Sequence, residues 1–131
     1  MNRTAINPWD WSLKYGFNQA EVFEGPRRDI VCSGQTAVDA EGAPQHAGDM
    51  RAQMGLALDN LEAVLSAAGM TPAHLTKLTV YVTDMDAALE HFDMLGARLA
   101  PFGATPPMSL IGVSRLAMAP LMVEIDATAA D

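Results

Sequence analysis

Apolar and polar residues alternate near both ends of the chain and recur at helical spacing in its middle. Residues 17–24 are predicted to form a short strand that ends at Gly25-Pro26, a strong turn signal. A second strand is predicted over residues 29–32, and we expect the two strands to pair as a hairpin. Residues 39–48 have the composition of a loop.

Two helices are predicted in the middle of the chain. Over residues 50–68 the apolar side chains recur at helical spacing. Asp49 suits the N-terminal cap of this helix, and Gly69 suits the left-handed position that ends it. A second helix is predicted from about Asp86, and we expect Pro101 to end it, because proline cannot continue a helix.

Strand character surrounds the second predicted helix. Residues 78–83 alternate as a strand with one buried face, and residues 108–114 and 121–128 are further strands. The predicted order is β-β-α-β-α-β-β, an α+β two-layer domain that spans residues 1–131 and begins with an N-terminal arm over about residues 1–15. The face without helices is half apolar, so we expect it to be buried against another subunit.

Charge and composition exclude several classes of function. Sixteen acidic and eight basic residues give a net charge of -8, so we expect no nucleic-acid partner. No apolar run reaches the roughly 18 residues that cross a bilayer, and the N-terminus lacks the pattern of a targeting peptide, so we expect a cytoplasmic protein. Cys32 is either a small buried apolar residue or a reactive thiol. No cofactor is expected, and the three dispersed histidines predict no metal site.

Five segments, in the same order along the chain, resemble the Rid (YjgF) family over about residues 15–129. They resemble the family's Tyr-Ser-Gln-Ala segment, its hydrophobic-Ser-Gly-Gln strand, its first helix, the strand that follows and the C-terminal Val-Glu-Ile-Glu-Ala. The five segments of this chain are Phe17-Asn18-Gln19-Ala20, Ile30–Gln35, Asp59–Met70, Lys77–Met85 and Val123–Ala127.

The resemblance implies a chorismate-mutase-like α+β fold and a homotrimer with clefts between its subunits. In the deaminating members of the family, each cleft hydrolyses reactive enamine or imine acids and releases ammonia. An Arg binds the substrate carboxylate through two parallel hydrogen bonds, a bidentate contact that suits its planar guanidinium. A Glu on the last strand orients the attacking water, while a Tyr and the backbone of a Ser-Gly pair help to hold the ligand.

Part of this site is kept in the present chain. Glu124 matches the water-orienting Glu, and Ser33 and Gly34 match the Ser-Gly pair. Phe17 stands at the Tyr position, where it keeps a ring and loses the hydroxyl. By spacing alone, Glu124 also fits an ordinary polar residue on the outward face of an edge strand.

Two further positions depart from the family. The ligand-side Asn of the second helix falls at His91 or Phe92, and His91 also fits an exposed helical residue. The clamping Arg of Pro-Ala-Arg-Ser falls at Met108, which precedes Ser109 in the segment 106–109. Methionine has no charge and no donor, so loss of the clamp costs on the order of 10²-fold or more in rate. We therefore do not expect a standard 2-imino-acid deaminase.

Three functions follow from the resemblance, all but the last with a small-molecule metabolite as partner. The first is hydrolytic deamination of an enamine- or imine-like compound, with Glu124 orienting water and with little dependence on a carboxylate clamp. The second is a non-catalytic trimer that binds a metabolite in the same cleft. The third is RNA cleavage that inhibits translation, and the acidic charge disfavours it. Trp9 and Trp11 of the arm either cover the cleft or pack on a neighbouring subunit.

Overall fold

The computed structural model describes all of residues 1–131, which form a five-stranded sheet with helices on one face and a separate two-stranded sheet. The strands are β1 (Asn2–Ile6), β2 (Ala20–Glu24), β3 (Asp29–Val31), β4 (Gln35–Thr36), β5 (Leu75–Val82), β6 (Met108–Gly112) and β7 (Val123–Ala130). The helices are α1 (Met50–Ala67), α2 (Met85–Glu90) and α3 (Asp93–Leu99), with 3₁₀ turns at Leu13–Tyr15, Pro72–His74 and Ala100–Phe102. The predicted α+β fold class is confirmed.

The larger sheet has the strand order β3-β7-β5-β6, and the short strand β4 pairs with β7 on the same side as β3. β5 and β6 are parallel, so the chain between them crosses over through α2 and α3. β7 is antiparallel to β5, with Glu124 opposite Tyr81. The sheet therefore has two different edges, one formed by β3 and β4 and the other by β6.

Burial alternates along the two central strands, because successive side chains of a strand point to opposite faces. The buried face packs against α1, and each fully buried Leu or Val there contributes about 1.5–3 kcal/mol. The strand residues of this face include Leu78, Val80, Val82, Val123, Ile125 and Ala127. The opposite face has no helix over it, and its polar residues include Lys77, Thr79, Tyr81, Glu124, Asp126 and Thr128.

Helix α1 begins and ends where the sequence predicts. The Asp49 carboxylate accepts a hydrogen bond from the backbone N–H of Ala52, which satisfies a donor that the helix itself leaves free. Gly69 follows the helix with φ 74°, the left-handed conformation that glycine adopts at no steric cost. Neither α1, with 18 residues, nor a shorter helix is long and apolar enough to span a membrane.

A buried glutamine ties α1 to the segment that enters β7. The Gln53 amide donates to the carbonyl oxygens of Pro120 at 2.8 Å and His46 at 3.2 Å. Its Oε1 accepts from the backbone N–H of Met122 at 2.8 Å. Gln53 is fully buried, and these bonds meet the requirement that buried polar groups find partners.

The predicted hairpin between the first two strands is wrong. β2 pairs with β1, a strand in the N-terminal arm that shows no clear alternation, and β3 pairs with the end of β7 instead. Arg3 holds the β1–β2 sheet in place, since its guanidinium pairs with Glu21 and donates to the carbonyl oxygen of Leu75. This contact between distant parts of the chain cannot be seen in local patterning.

The second predicted helix begins near Asp86 as expected, but it is not continuous, because it is divided into α2 and α3. At the division the N–H groups of His91 and Phe92 donate to carbonyl oxygens three residues back, the tighter 3₁₀ spacing. His91 itself leaves helical geometry, with φ -110° and ψ 10°. Pro101 lies in the 3₁₀ turn after α3 rather than ending one continuous helix.

Candidate functional site

Glu124 lies on the uncovered face of β7, and its carboxylate packs directly against Gly34. A Cβ added to Gly34 would lie 2.6 Å from Glu124 Cδ and 2.7 Å from Glu124 Oε1, closer than real Cβ contacts come. A side chain at this position would therefore displace the Glu124 carboxylate. Both neighbouring strands flank Glu124 in the sheet, with Thr36 of β4 on one side and Tyr81 of β5 on the other.

The backbone beside this carboxylate offers free donors. The N–H groups of Ser33 and Gly34 donate to no backbone carbonyl, and both residues are exposed. The Ser33 carbonyl oxygen is occupied, because it accepts from Gln35 Nε2 at 3.0 Å. Glu124 forms no ion pair. A carboxylate next to two free N–H donors can orient a water molecule and polarise a small polar ligand. We call Ser33, Gly34 and Glu124 the carboxylate edge.

Asn60 of α1 anchors the end of β4, the strand that follows Ser33 and Gly34. Its amide donates to the carbonyl oxygens of Thr36 at 2.9 Å and Val38 at 3.1 Å, on either side of the β4 turn. Asn60 was not singled out from the sequence, because α1 carries several polar residues and the helical pattern does not distinguish this one. Tyr81 lies opposite Glu124 on the uncovered face and was not a predicted site residue either.

The other candidate residues lie at the opposite edge of the sheet. Met108 begins β6 opposite Leu78, so it shares the helix-covered face and packs against the core. Phe17 lies beside the chain that enters β6, because the backbone N–H of Asn18 donates to the carbonyl oxygen of Thr105 at 3.0 Å. Trp11 meets Phe17 edge to face, with ring centroids 5.9 Å apart. We call Phe17 and Met108 the apolar edge.

Ser109 lies on the other face from Met108, since neighbouring strand residues alternate. Its hydroxyl accepts a hydrogen bond from Lys77 Nζ at 2.9 Å. Ser109 is therefore directed to the uncovered face and is engaged by an ammonium group.

Of the two alternatives at the second helix, Phe92 lines a cleft and His91 does not. This cleft has a volume of about 520 Å³ and lies between the N-terminal turn, residues 13–16, and the helices, residues 89–97. We call it the α2–α3 cleft. Gly16 lines this cleft, and the next residue in the chain, Phe17, belongs to the apolar edge.

One chain does not bring the two edges together. Two strands, β7 and β5, separate β4 from β6, so the edges lie three inter-strand spacings, or about 14 Å, apart. Glu124 and Met108 are also on opposite faces and about 10 Å apart along the strand direction, three residues by register. Ser33, Gly34 and Glu124 are thus assembled within the chain, whereas Phe17 and Met108 are assembled elsewhere.

The remaining chemistry-bearing groups add no second centre. Burial raises the pKa of the Cys32 thiol, and the nearby Asp126 carboxylate raises it further, so a reactive thiolate is disfavoured. Cys32 is buried within the core, which fits its interpretation as a small apolar residue. No group of three or more His, Cys, Asp and Glu side chains is placed to hold a metal ion.

Comparisons with known proteins agree with this architecture. A family profile described as Endoribonuclease L-PSP matches residues 16–131. Protein DfrA of Myxococcus xanthus is 33% identical over 97 residues, covering 74% of this chain and 72% of that protein. The crystal structure of YyfB from Yersinia pestis, of the conserved Rid protein family, is 36% identical with a TM-score of 0.86 and covers 98% of each chain. A YjgF/YER057c/UK114 family member from Mycobacterium tuberculosis is 26% identical with a TM-score of 0.64, also covering 98% of each chain.

Proposed function

The chain belongs to the Rid (YjgF) family, described also as the endoribonuclease L-PSP family, and from this premise we propose that it hydrolytically deaminates a small enamine- or imine-like metabolite. The observation that carries the proposal is the packing of the Glu124 carboxylate against Gly34, beside two free backbone N–H groups. A half-buried carboxylate with no ion-pair partner and with adjacent donors is suited to holding water against an electrophilic carbon.

The site is completed by a neighbouring subunit. The carboxylate edge and the apolar edge lie on opposite sides of one sheet, so each can meet the other edge of the next copy. A head-to-tail contact of this kind closes into a ring when the rotation between subunits permits, and a homotrimer is the smallest such ring beyond a dimer. The proposed cleft thus contains Ser33, Gly34 and Glu124 of one subunit and Phe17 and Met108 of the next.

The proposed chemistry is a balanced hydrolysis. Glu124 accepts a proton from water as the oxygen forms a bond to the imine carbon, and it passes this proton to the nitrogen to give a neutral carbinolamine. The N–H groups of Ser33 and Gly34 stabilise negative charge that develops on the substrate before the nitrogen is protonated. Glu124 then takes the hydroxyl proton and delivers it to the nitrogen as the C–N bond breaks and the C=O bond forms, so the products are a carbonyl compound and ammonia.

The apolar edge indicates a substrate without a clamped carboxylate. Met108 offers no charge, and Phe17 offers a ring without a hydroxyl. Charge-assisted bidentate contacts are among the strongest hydrogen bonds, so their absence favours a neutral imine over an imino acid. The alternative, a metabolite-binding trimer without turnover, is favoured by the same two residues and is separated from deamination by the rate measurement below.

The test is ammonia release from 2-iminobutyrate and from its neutral amide, each generated in the assay. We expect the amide to be the better substrate and Glu124→Gln to lower its rate by about 10²-fold or more. Glu90→Gln, an exposed carboxylate on α2, is the matched control and should keep the wild-type rate. An unchanged rate in Glu124→Gln would contradict the proposal, and binding of the amide without ammonia release would establish the non-catalytic alternative.

A further inference from the structure

Large apolar side chains surround the α2–α3 cleft instead of entering the core. Leu13, Tyr15 and Leu89 are 48%, 55% and 57% exposed, and all three line the cleft together with Phe92. Scattered apolar residues on a surface need no explanation, but a group of them around a concavity of about 520 Å³ is a feature that small-molecule binding sites share. The cleft is therefore shaped and lined for an apolar group.

A glycine inside α3 keeps this cleft open. Gly96 lines the cleft, and a Cβ added there would meet no atom within 4 Å. It is not among the glycines with positive φ, so its backbone does not require glycine. Glycine weakens a helix interior relative to alanine, so neither packing nor helix stability accounts for it. The space that Gly96 leaves free belongs to the cleft.

The polar groups of the cleft favour a flat aromatic occupant. Lys14 Nζ lies 5.2 Å from the centroid of the Tyr15 ring and forms no ion pair. The Asp93 carboxylate is already paired with Arg51. An aromatic ring can pack on Tyr15 and Phe92 and attract the ammonium group through its electron-rich face.

We propose that the α2–α3 cleft binds a flat aromatic group of a small molecule. On the premise of the proposed function, this group is the substituent of the imine substrate, since Gly16 of the cleft directly precedes Phe17 of the apolar edge in the chain. The substrate class is then an imine with an aromatic substituent that is neutral or depends little on a carboxylate contact. Packing of the aromatic group holds this substrate, because the Arg that would bind a carboxylate is absent.

Binding is tested on the full chain with phenylacetamide, and with propanamide as the probe that lacks a ring. Backbone amide NMR should show saturable shifts at residues 13–16 and 89–97 with phenylacetamide only. Gly96→Leu, which fills the cleft, should weaken the phenylacetamide Kd at least tenfold. Gly55→Ala is the matched control, a helix glycine outside this cleft whose added Cβ would lie an ordinary 3.6 Å from Met94 Sδ, and it should leave Kd unchanged. Shifts elsewhere, or an unchanged Kd in Gly96→Leu, would overturn the proposal.

A kinetic measurement separates this proposal from the proposed function. The ratio of kcat/KM for 2-imino-3-phenylpropanamide to that for 2-iminobutanamide should be at least ten in the wild type and should fall in Gly96→Leu. If neither imine is hydrolysed while phenylacetamide binds, the deamination proposal fails and the cleft stands. If both are hydrolysed equally and phenylacetamide does not bind, the cleft proposal fails. If the wild type does not bind phenylacetamide and Gly96→Leu changes the oligomeric mass measured by analytical ultracentrifugation, the cleft is a contact between subunits. That result would overturn the proposal.

Discussion

The two edges of the sheet differ in how they are built. The carboxylate edge is held by backbone pairing, by the Gly34–Glu124 contact and by Asn60 bonding across the β4 turn. The apolar edge consists of side chains that meet no polar partner, with Phe17 against Trp11 and Met108 against the core. Polar groups are thus held in place at one edge, while under the proposed function the apolar edge of the next subunit selects the substituent of the substrate.

The largest expected effect comes from a substitution that disrupts the carboxylate edge. In Gly34→Ala the new Cβ would lie 2.6 Å from Glu124 Cδ, so the carboxylate must move. A misplacement of about 1 Å costs on the order of 10²-fold in rate, and we expect that loss in ammonia release. The melting temperature should change little, because the turn is exposed. Ser33→Ala keeps both backbone donors and should stay near the wild-type rate; equal rates for Gly34→Ala and the wild type would contradict the assigned geometry.

A single substitution at the apolar edge should increase the deamination of an imino acid. Met108→Arg supplies the guanidinium that a substrate carboxylate requires, and a charge-assisted bidentate contact is worth about 1.5–3 kcal/mol. We expect kcat/KM for 2-iminobutyrate to rise by roughly 10- to 100-fold. Met108→Leu has no donor and is the control for altered packing. A gain in Met108→Leu equal to that in Met108→Arg would show that the charge is not responsible.

A smaller effect concerns the support of β7, which carries Glu124. Gln53→Ala leaves the Met122 N–H and the Pro120 carbonyl without their partner in a buried place. We expect the free energy of unfolding to fall by about 2–3 kcal/mol, measured by urea denaturation. Gln45→Ala is the control, because its amide bonds only within the loop around Asp39 and Ala43. Equal losses in the two variants would remove the special role of Gln53.

The smallest effect lies at the β3 end of the sheet, where Arg28 pairs with Asp131. The hydrogen bond and charge of Arg28 lower the pKa of Asp131, and the charge of His74 lowers it further. A lowered folded-state pKa stabilises the protein above the unfolded value of about 4, and this stabilisation is lost as the pH falls through the folded pKa. Asp131→Asn should therefore lower Tm slightly at pH 7 and leave it unchanged in acid. Asp10 forms no ion pair, so Asp10→Asn should leave Tm unchanged at both pH values. A difference that persists in strong acid would contradict the pairing.

Local features of the sequence predicted much of the fold. The Asp49 cap, the Gly69 terminus and the alternation of Leu78, Val80 and Val82 depend on neighbouring residues, and the structure has each of them. The β1–β2 pairing was missed because β1 shows no clear alternation, and sequence patterning carries no signal for the long-range bond of Arg3 to Leu75.

The candidate site was only partly predictable for a related reason. Family resemblance identified Ser33, Gly34 and Glu124, but the close contact between Gly34 and the Glu124 carboxylate is visible only once β4 and β7 are paired. The distance between these residues and Met108 follows from strand order, which the sequence leaves open. The division of the second helix at His91 had no signal in the apolar spacing.

The central claim is that the carboxylate edge of one subunit and the apolar edge of the next form one site. The direct measurement unfolds and refolds an equal mixture of wild-type chains with Met108→Arg/Glu124→Gln chains, then follows 2-iminobutyrate hydrolysis. Neither chain carries both the introduced guanidinium and Glu124, but random mixing places the two groups together at about one interface in four. We predict about a quarter of the activity of the single variant Met108→Arg. Activity no greater than the average of the two separate proteins would contradict the shared site.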